Sequence, residues 1–271
     1  MFEINENARR ISQEEKHQYL SQGFIKPFPV FSDSGVKDLQ AWFKNIIHKL
    51  PKGIDINKTN MWHKASKSFY DICHTSVILD CVEDLLGKNF YLWGGQFFYK
   101  EKKNESIVPW HQDAQYWPLE PSKSVTVWLA VYDTDETNAA MKVVSGSHKE
   151  AAYNHKVNND DRFILNQEVS EDQFDINKIV YMNLRAGEMS LHTDALLHGS
   201  DGNHSDRPRC GITMRFSPTE VKADLNVWPS FSMQMSRGQD EFNHNPIAPT
   251  PRGEAVPTKG MQFFSDFEKE W

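Results

Sequence analysis

Up to about residue 88 the apolar residues of this chain recur at helical spacing, whereas from Phe90 onward they gather into short runs parted by turn residues. The runs cover residues 90–99, 124–132, 141–144, 179–182, 188–192 and 209–216. Each is short for a helix, and many such runs in succession point to strands packed as a sandwich or barrel. The change of period therefore predicts a mainly β protein that carries helices at its N-terminal end.

The helical part has recognisable boundaries. Ser12 and Glu15 form a capping-box pattern opening a helix that ends near Gly23. Asp33 and Ser34 offer a cap to a second, with Val36, Leu39, Phe43, Ile46, Ile47 and Leu50 on one face and Pro51 closing it. Val77, Ile78, Cys81, Val82 and Leu85 mark a third, stopped by Gly87. These stripes are core-packing signals. The polar stretch 150–178 reads as an insertion or a lid, and the tail from Trp228 as a segment wrapping the barrel mouth. With 271 residues, one domain is expected: helical to about 88, a β core over about 89–220, and a wrapping segment over about 221–271.

Chemistry concentrates in His111-Gln112-Asp113, followed far downstream by His198-Gly199-Ser200 and then Arg209. A His-x-Asp triplet is weak by itself, and the chain holds three: His111/Asp113, His192/Asp194 and His204/Asp206. Only the first ends an extended run and has both a later strand-end histidine and an arginine opening a further strand. Two imidazoles and one carboxylate on one face of a metal leave three positions open, which suits a non-heme Fe(II) oxygenase. Arg209 keeps its charge and presents a planar fork matched to a carboxylate. A co-substrate that chelates iron at one end and carries a free carboxylate at the other needs both parts. 2-Oxoglutarate is such a molecule, and O2 would take the remaining position. Iron is expected on His111 Nε2, an Asp113 oxygen and His198 Nε2.

Further candidates follow from strand parity. Gln96 is a polar residue in an apolar run, a candidate contact for co-substrate or substrate. Arg209, Gly211, Thr213 and Arg215 share one strand face, so Arg215 points inward if Arg209 does. An inward arginine needs either an anionic ligand or a structural Asp or Glu. Lys64 and Lys67 would add positive charge at an entrance or form an exposed basic face. His148 is expected to satisfy backbone groups, and His63, His74, His192 and His204 to be solvated or hydrogen-bonded.

The net charge of −7 argues against nucleic acid or an anionic membrane as partner. No stretch approaches the 18 apolar residues of a membrane span, and the first residues lack a signal-peptide core, so a cytoplasmic location is expected. Cys73, Cys81 and Cys210 are odd in number and scattered, which argues against a disulfide framework and for a reducing compartment.

The runs 108–117 (Val-Pro-Trp-His-Gln-Asp-Ala-Gln-Tyr-Trp), 125–130, Ser145-Gly146-Ser147-His148, and Leu197-His198-Gly199-Ser200 through Asn203, Ser205, Pro208 and Arg209 resemble the phytanoyl-CoA dioxygenase family of Fe(II)/2-oxoglutarate oxygenases. The resemblance extends from about residue 12 to about 250. Two departures, Ser145 for the usual proline and Ala139 for the usual glycine, fall in a connecting turn. The resemblance implies a double-stranded β-helix core, a cupin-like jelly roll, with Ser200 sharing the co-substrate carboxylate with Arg209 and Trp128 lining that pocket. Relatives that halogenate lack the metal carboxylate, so Asp113 implies hydroxylation with succinate and CO2 as co-products. Within the family, residues 113–119 and 138–141 are similar to the 2-aminoethylphosphonate and trimethylaminoethylphosphonate hydroxylases. Such a small zwitterionic substrate would want Arg215 at its anion and an aromatic face, Tyr116 or Trp117, at its cation. A larger apolar metabolite, an acyl thioester, or a non-catalytic jelly-roll binding module are the alternatives.

Overall fold

Ser12 opens the first helix through a reciprocal cap: its hydroxyl accepts the Glu15 N–H at 3.2 Å and its own N–H donates to the Glu15 carboxylate at 2.9 Å. The structure, a computed structural model, describes residues 2–257 apart from 151 and 159. The last part of the expected wrapping segment, 258–271, lies outside the described residues. Helix α1 (Gln13–Gln22) leads into strand β1 (Phe24–Pro29), and α2 (Asp33–Lys49) follows. The cap of α2 is Ser32, not Asp33 or Ser34: its hydroxyl accepts the Gly35 N–H at 3.1 Å, the reach an N-cap side chain has. Two short helices absent from the periodicity, α3 (Trp62–Ala65) and α4 (Lys67–Cys73), precede α5 (Ser76–Leu86), which ends at Gly87 as expected.

The β core then runs β2 (Phe90–Lys100), β3 (Val108–His111), β4 (Leu119–Glu120), β5 (Val125–Ala130), β6 (Lys142–Val144), β7 (His155–Val157), β8 (Gln167–Val169), β9 (Ile179–Tyr181), β10 (Glu188–Thr193), β11 (His198–Ser200) and β12 (Arg209–Pro218). β13 (Lys222–Ala223) and β14 (Gln234–Arg237) complete it. A six-stranded antiparallel sheet has the order β1-β10-β5-β12-β2-β14, and a four-stranded sheet the order β3-β11-β6-β9. The fold is a jelly roll with its functional cavity between the two sheets.

Both edges of the large sheet come from outside the stretch expected to be the β core. β1 was hidden by Pro27 and Pro29, residues that a sheet tolerates at an edge, and its register with β10 shifts between Ile25 and Phe28. β14 was hidden in the Pro-bearing tail, and pairs with the start of β2. The 150–178 stretch forms its own hairpin, β7 with β8, and lies against β3 through Trp110 Nε1, which donates to Glu171 at 3.1 Å.

Strand alternation divides the large sheet into two faces. Ile25, Leu191, Val127, Leu129, Ile212, Met214 and Phe97 point outward and pack under Leu39, Phe43 and Phe69 of the helices. Phe97 is fully buried at this junction, with ring centroids 5.0 Å from Trp62, 5.2 Å from Phe69 and 5.3 Å from Phe43. Removing it opens a cavity among groups held by two layers at once. Phe97→Ala is expected to cost about 3–5 kcal/mol in chemical denaturation. A loss below about 1 kcal/mol would mean that the helical layer is not clamped to the sheet at this ring.

Candidate active site

His111 ends β3 and His198 begins β11, and these two residues are register partners across the small sheet. Their rings lie 4.1 Å apart between centroids, and His111 Nε2 is 3.8 Å from Asp113 Oδ1. One donor atom from each of His111, Asp113 and His198 falls within 4.8 Å of the others, and all three residues are buried. The rings are oriented alike. His111 Nδ1 bonds the Pro109 carbonyl at 2.9 Å and His198 Nδ1 bonds the Leu196 carbonyl at 2.8 Å. A carbonyl only accepts, so Nδ1 carries the proton and Nε2 is left as a lone-pair donor for a metal. Burial pulls the His111 imidazole well below its ordinary range, which keeps it neutral as a ligand must be. Asp113 is steadied by the Thr126 hydroxyl, which donates to Oδ2 at 3.3 Å.

Gln112 binds this centre together from behind. Its Nε2 donates to the Ala195 carbonyl at 2.7 Å and its Oε1 accepts the Tyr153 N–H at 3.1 Å. It thus ties the His111 segment to the loop before His198 and to the insertion. The carboxylates of the other two His-x-Asp triplets do not join the cluster. Asp194 accepts the Ser124 N–H at 2.9 Å, and Asp206 is exposed.

The cavity beside this cluster, about 380 Å³ including its mouth, is lined by residues of both sheets, among them Trp128, His192, Ser200, Arg209, Thr213 and Arg215. Arg209 is 2% exposed, its guanidinium carbon lies 4.8 Å from the Trp128 ring centroid, and its Nε and Nη1 have no protein partner. Burial pulls its pKa down to about 10, so it is still a cation at neutral pH. Lys100, which the sequence reading passed over, is the register partner of Arg209 on β2. It is buried, and its Nζ donates to Ser200 Oγ at 2.9 Å and to the Asp201 carbonyl. Burial, with Arg209 alongside, pushes its pKa well below the ordinary lysine range. Two adjacent cations in a dry pocket are costly unless an anion joins them. Pairing of β2 with β12 was the signal that could have found Lys100, since its parity follows once Arg209 is placed.

Arg215 is inward as well, 6% exposed, with no carboxylate pairing with it among the described residues and its Nε without a protein partner. The expected alternative, a buried ion pair, is therefore not formed. Trp117 lies 5.1 Å and Trp93 6.0 Å from its guanidinium carbon, so Trp117, expected at a substrate cation, stands beside Arg215. Tyr116 stands beside His111, 5.9 Å between ring centroids. Gln96 does not line the metal-side cavity as a co-substrate contact would; it lies in a second cavity that shares Arg215 with the first. On β2, Gln96 is the register partner of Thr213, and Lys100, further along, that of Arg209.

Several polar residues depart from expectation. His192 and His63 are neither solvated nor hydrogen-bonded; both are buried with no partner on either ring nitrogen, and His192 lies 5.0 Å from the His198 ring. His148 bonds the Leu20 carbonyl as expected, and His74 bonds the Tyr70 carbonyl. Lys67 pairs with Asp71, and Lys64 donates to the Ser232 hydroxyl at 3.0 Å, with burial lowering it to about 8. Neither lysine forms an exposed basic face.

The phytanoyl-CoA dioxygenase family model matches residues 19–211. The chain belongs to the phytanoyl-CoA dioxygenase family. It is a 2-oxoglutarate-dependent non-heme iron dioxygenase, and its cofactors are Fe(II) and 2-oxoglutarate. Relatives include a protein of Stutzerimonas stutzeri named as a probable alpha-ketoglutarate-dependent hypophosphite dioxygenase, 25% identical over 235 residues and covering 80% of each chain. The bovine (Bos taurus) peroxisomal phytanoyl-CoA dioxygenase is 24% identical, over 80% of this chain and 71% of its own. Among solved structures, the non-heme monooxygenase ThoJ superposes with a TM-score of 0.74 at 22% identity, covering 93% of both chains. The buried donor set and the unpaired cations of this phytanoyl-CoA dioxygenase family member fit an iron with an acidic co-substrate. No helix among the described residues is long and apolar enough to cross a membrane.

The indole of Trp128 depends on Gly211, where an added Cβ would fall 2.0 Å from the ring. Gly211→Ala should drive Trp128 off Arg209 and weaken 2-oxoglutarate binding several-fold, read by calorimetry on the Fe(II)-loaded protein. Unchanged affinity would show that Trp128 does not hold the arginine in place.

Proposed function

We propose that this dioxygenase hydroxylates an unactivated C–H bond of a small anionic substrate, with 2-aminoethylphosphonate or a related aminophosphonate as the preferred candidate. In this reading His111 Nε2, Asp113 Oδ1 and His198 Nε2 hold the iron. Arg209, with Lys100 and the Ser200 hydroxyl, holds the distal carboxylate of 2-oxoglutarate, which removes the cost of two neighbouring buried cations. When bound, iron and 2-oxoglutarate supply the oxidation, consuming O2 and yielding succinate and CO2 as one oxygen atom enters the C–H bond. The protein's share is to fix the substrate and keep water out.

The observation that carries the substrate assignment is Arg215. It is buried, lacks a carboxylate partner, and lines both the metal-side cavity and the second cavity. Trp117 and Trp93 lie 5.1 and 6.0 Å from its guanidinium carbon, its Nε has no protein partner, and a phosphonate or carboxylate would take a two-point bond from it. An anion held there would set its neighbouring carbon toward the iron. The relative named as a hypophosphite dioxygenase acts, by that name, on a small phosphorus oxyanion, the same ligand chemistry. A large apolar substrate or acyl thioester would leave Arg215 a purely structural role, yet no carboxylate among the described residues forms an ion pair with it, and Asp113 acts on it only electrostatically.

The metal assignment is tested by anaerobic loading with Fe(II) and 2-oxoglutarate, which should give the weak visible charge-transfer band of a chelated keto acid. Replacing His111, Asp113 or His198 by Ala should abolish the band; persistence in all three variants would refute the ligand set. A non-catalytic binding module would show no band at all.

Substrate anchoring is tested with Arg215→Gln. The KM for an accepted phosphonate should rise at least tenfold, as for the loss of a charged hydrogen bond of roughly 1.5–3 kcal/mol, while 2-oxoglutarate affinity stays nearly unchanged. Lower thermal stability with unchanged KM would make Arg215 structural.

A further inference from the structure

The second cavity, about 430 Å³ including its mouth, is lined by Asn60, Met61, Trp93, Gln96, Trp117 and Arg215 among others. It holds two amide oxygens without a donor. Gln96 is 2% exposed, and its Nε2 donates to the Asn57 carbonyl at 2.9 Å. That bond fixes the orientation of the amide, because a carbonyl cannot accept from Oε1. Oε1 is left buried with no protein partner; Asn60, a residue 6% exposed, also has its Oδ1 unpartnered, and no hydrogen bond ties its amide to one orientation. Buried acceptors are rarely left unbonded, since each forfeits the hydrogen bond it had in water. The pair lines the same cavity as the unpaired Arg215. The cavity is therefore walled by an arginine without an acidic partner and by two amides whose oxygens have no donor.

We infer that this cavity recognises the substrate's ammonium group through Asn60 Oδ1 and Gln96 Oε1, so that a primary ammonium is preferred to a methyl or trimethylammonium group at that end. The inference rests on the anion assignment to Arg215 made above. An ammonium brings N–H donors, which two acceptor-only oxygens require and which neither a methyl nor a quaternary nitrogen provides. A quaternary nitrogen would instead be held by aromatic faces and leave both oxygens without a donor, and on Trp93 or Trp117 it would meet the Arg215 guanidinium, 6.0 and 5.1 Å from those rings. The anion of a zwitterion lies between the ammonium and Arg215 and offsets the repulsion of the two cations. Asn60 and Gln96 touch the substrate's distal end and set specificity, and the metal chemistry does not pass through them.

The test compares three ligands of one length: 2-aminoethylphosphonate, propylphosphonate, in which a methyl replaces the ammonium, and trimethylaminoethylphosphonate. Each is titrated calorimetrically into the anaerobic protein loaded with Fe(II) and 2-oxoglutarate. The amine should bind about tenfold or more tightly than either analogue, the effect of hydrogen bonds to a charged group. Gln96→Met and Asn60→Leu should each erase most of that preference while leaving the affinity for propylphosphonate unchanged. Equal affinities in the unsubstituted protein, or variants that weaken all three ligands alike, would overturn the amine site and leave the phosphonate reading standing. Failure of all three ligands to bind would instead remove the phosphonate reading, and the amine site with it. The comparison in the unsubstituted protein decides the matter even where a variant does not fold.

Discussion

Strand β12 is hydrogen-bonded on both sides, to β5 and to β2, and its two-residue alternation divides the molecule into a side that holds it together and a side that acts. Cys210, Ile212, Met214 and Phe216 face the helices and belong to the main core. Arg209, Gly211, Thr213 and Arg215 face the cavity or its wall. A shift of one residue in register would bury both arginines under the helices and expose the apolar set to the cavity. The same pairing sets what each arginine meets: Lys100 opposite Arg209 and Gly94 opposite Arg215 on β2, Thr126 opposite Arg215 and Gly211 opposite Ala130 on β5. The positions of both arginines in the cavity wall follow from this one register.

The inner face is electrostatically unfinished in the protein alone. Arg209, Lys100 and Arg215 are all buried, and none has a carboxylate pairing with it among the described residues. The outer surface shows the opposite habit, where Arg10, Arg207 and Arg237 sit in ion pairs with acids at 2.6–3.4 Å. Stability would be better served by apolar residues at the three inner positions. Cations kept there without acidic partners favour acidic ligands, because an anion relieves their desolvation. The metal cluster contributes a single carboxylate, Asp113, and that group is committed to the cluster and to Thr126.

Support for the site comes from segments whose sequence gives little hint of it. Gln112 joins the His111 segment, the loop before His198 and the insertion at Tyr153 through two hydrogen bonds. The insertion is thereby a brace against β3, and the turn after its hairpin reaches Trp110 through Glu171. The edge strands of the large sheet, β1 and β14, come from before and after the stretch that carries the site.

The local elements were readable in the residues. The capping box at Ser12, the core stripe of Leu39, Phe43 and Ile46, and the runs that became β2, β5, β10 and β12 depend on periodicity and on neighbours within a few residues. The His-x-Asp…His…Arg order was equally legible, since metal and carboxylate chemistry restrict the residue types that can serve. What the sequence could not supply were relations between strands distant in the chain: Lys100 beside Arg209, Trp128 over Arg209, Arg215 between two tryptophans, and Gln96 facing Asn60's cavity rather than the metal. Nor could it tell that β1, with its two prolines, is an edge strand, or that Arg215 has no acidic partner. Sequence alone determined which chemistry the chain can perform, because ligand identity is carried by single residues. Tertiary structure decided where each charge is left unpaired, because that depends on strand register and on what packs opposite.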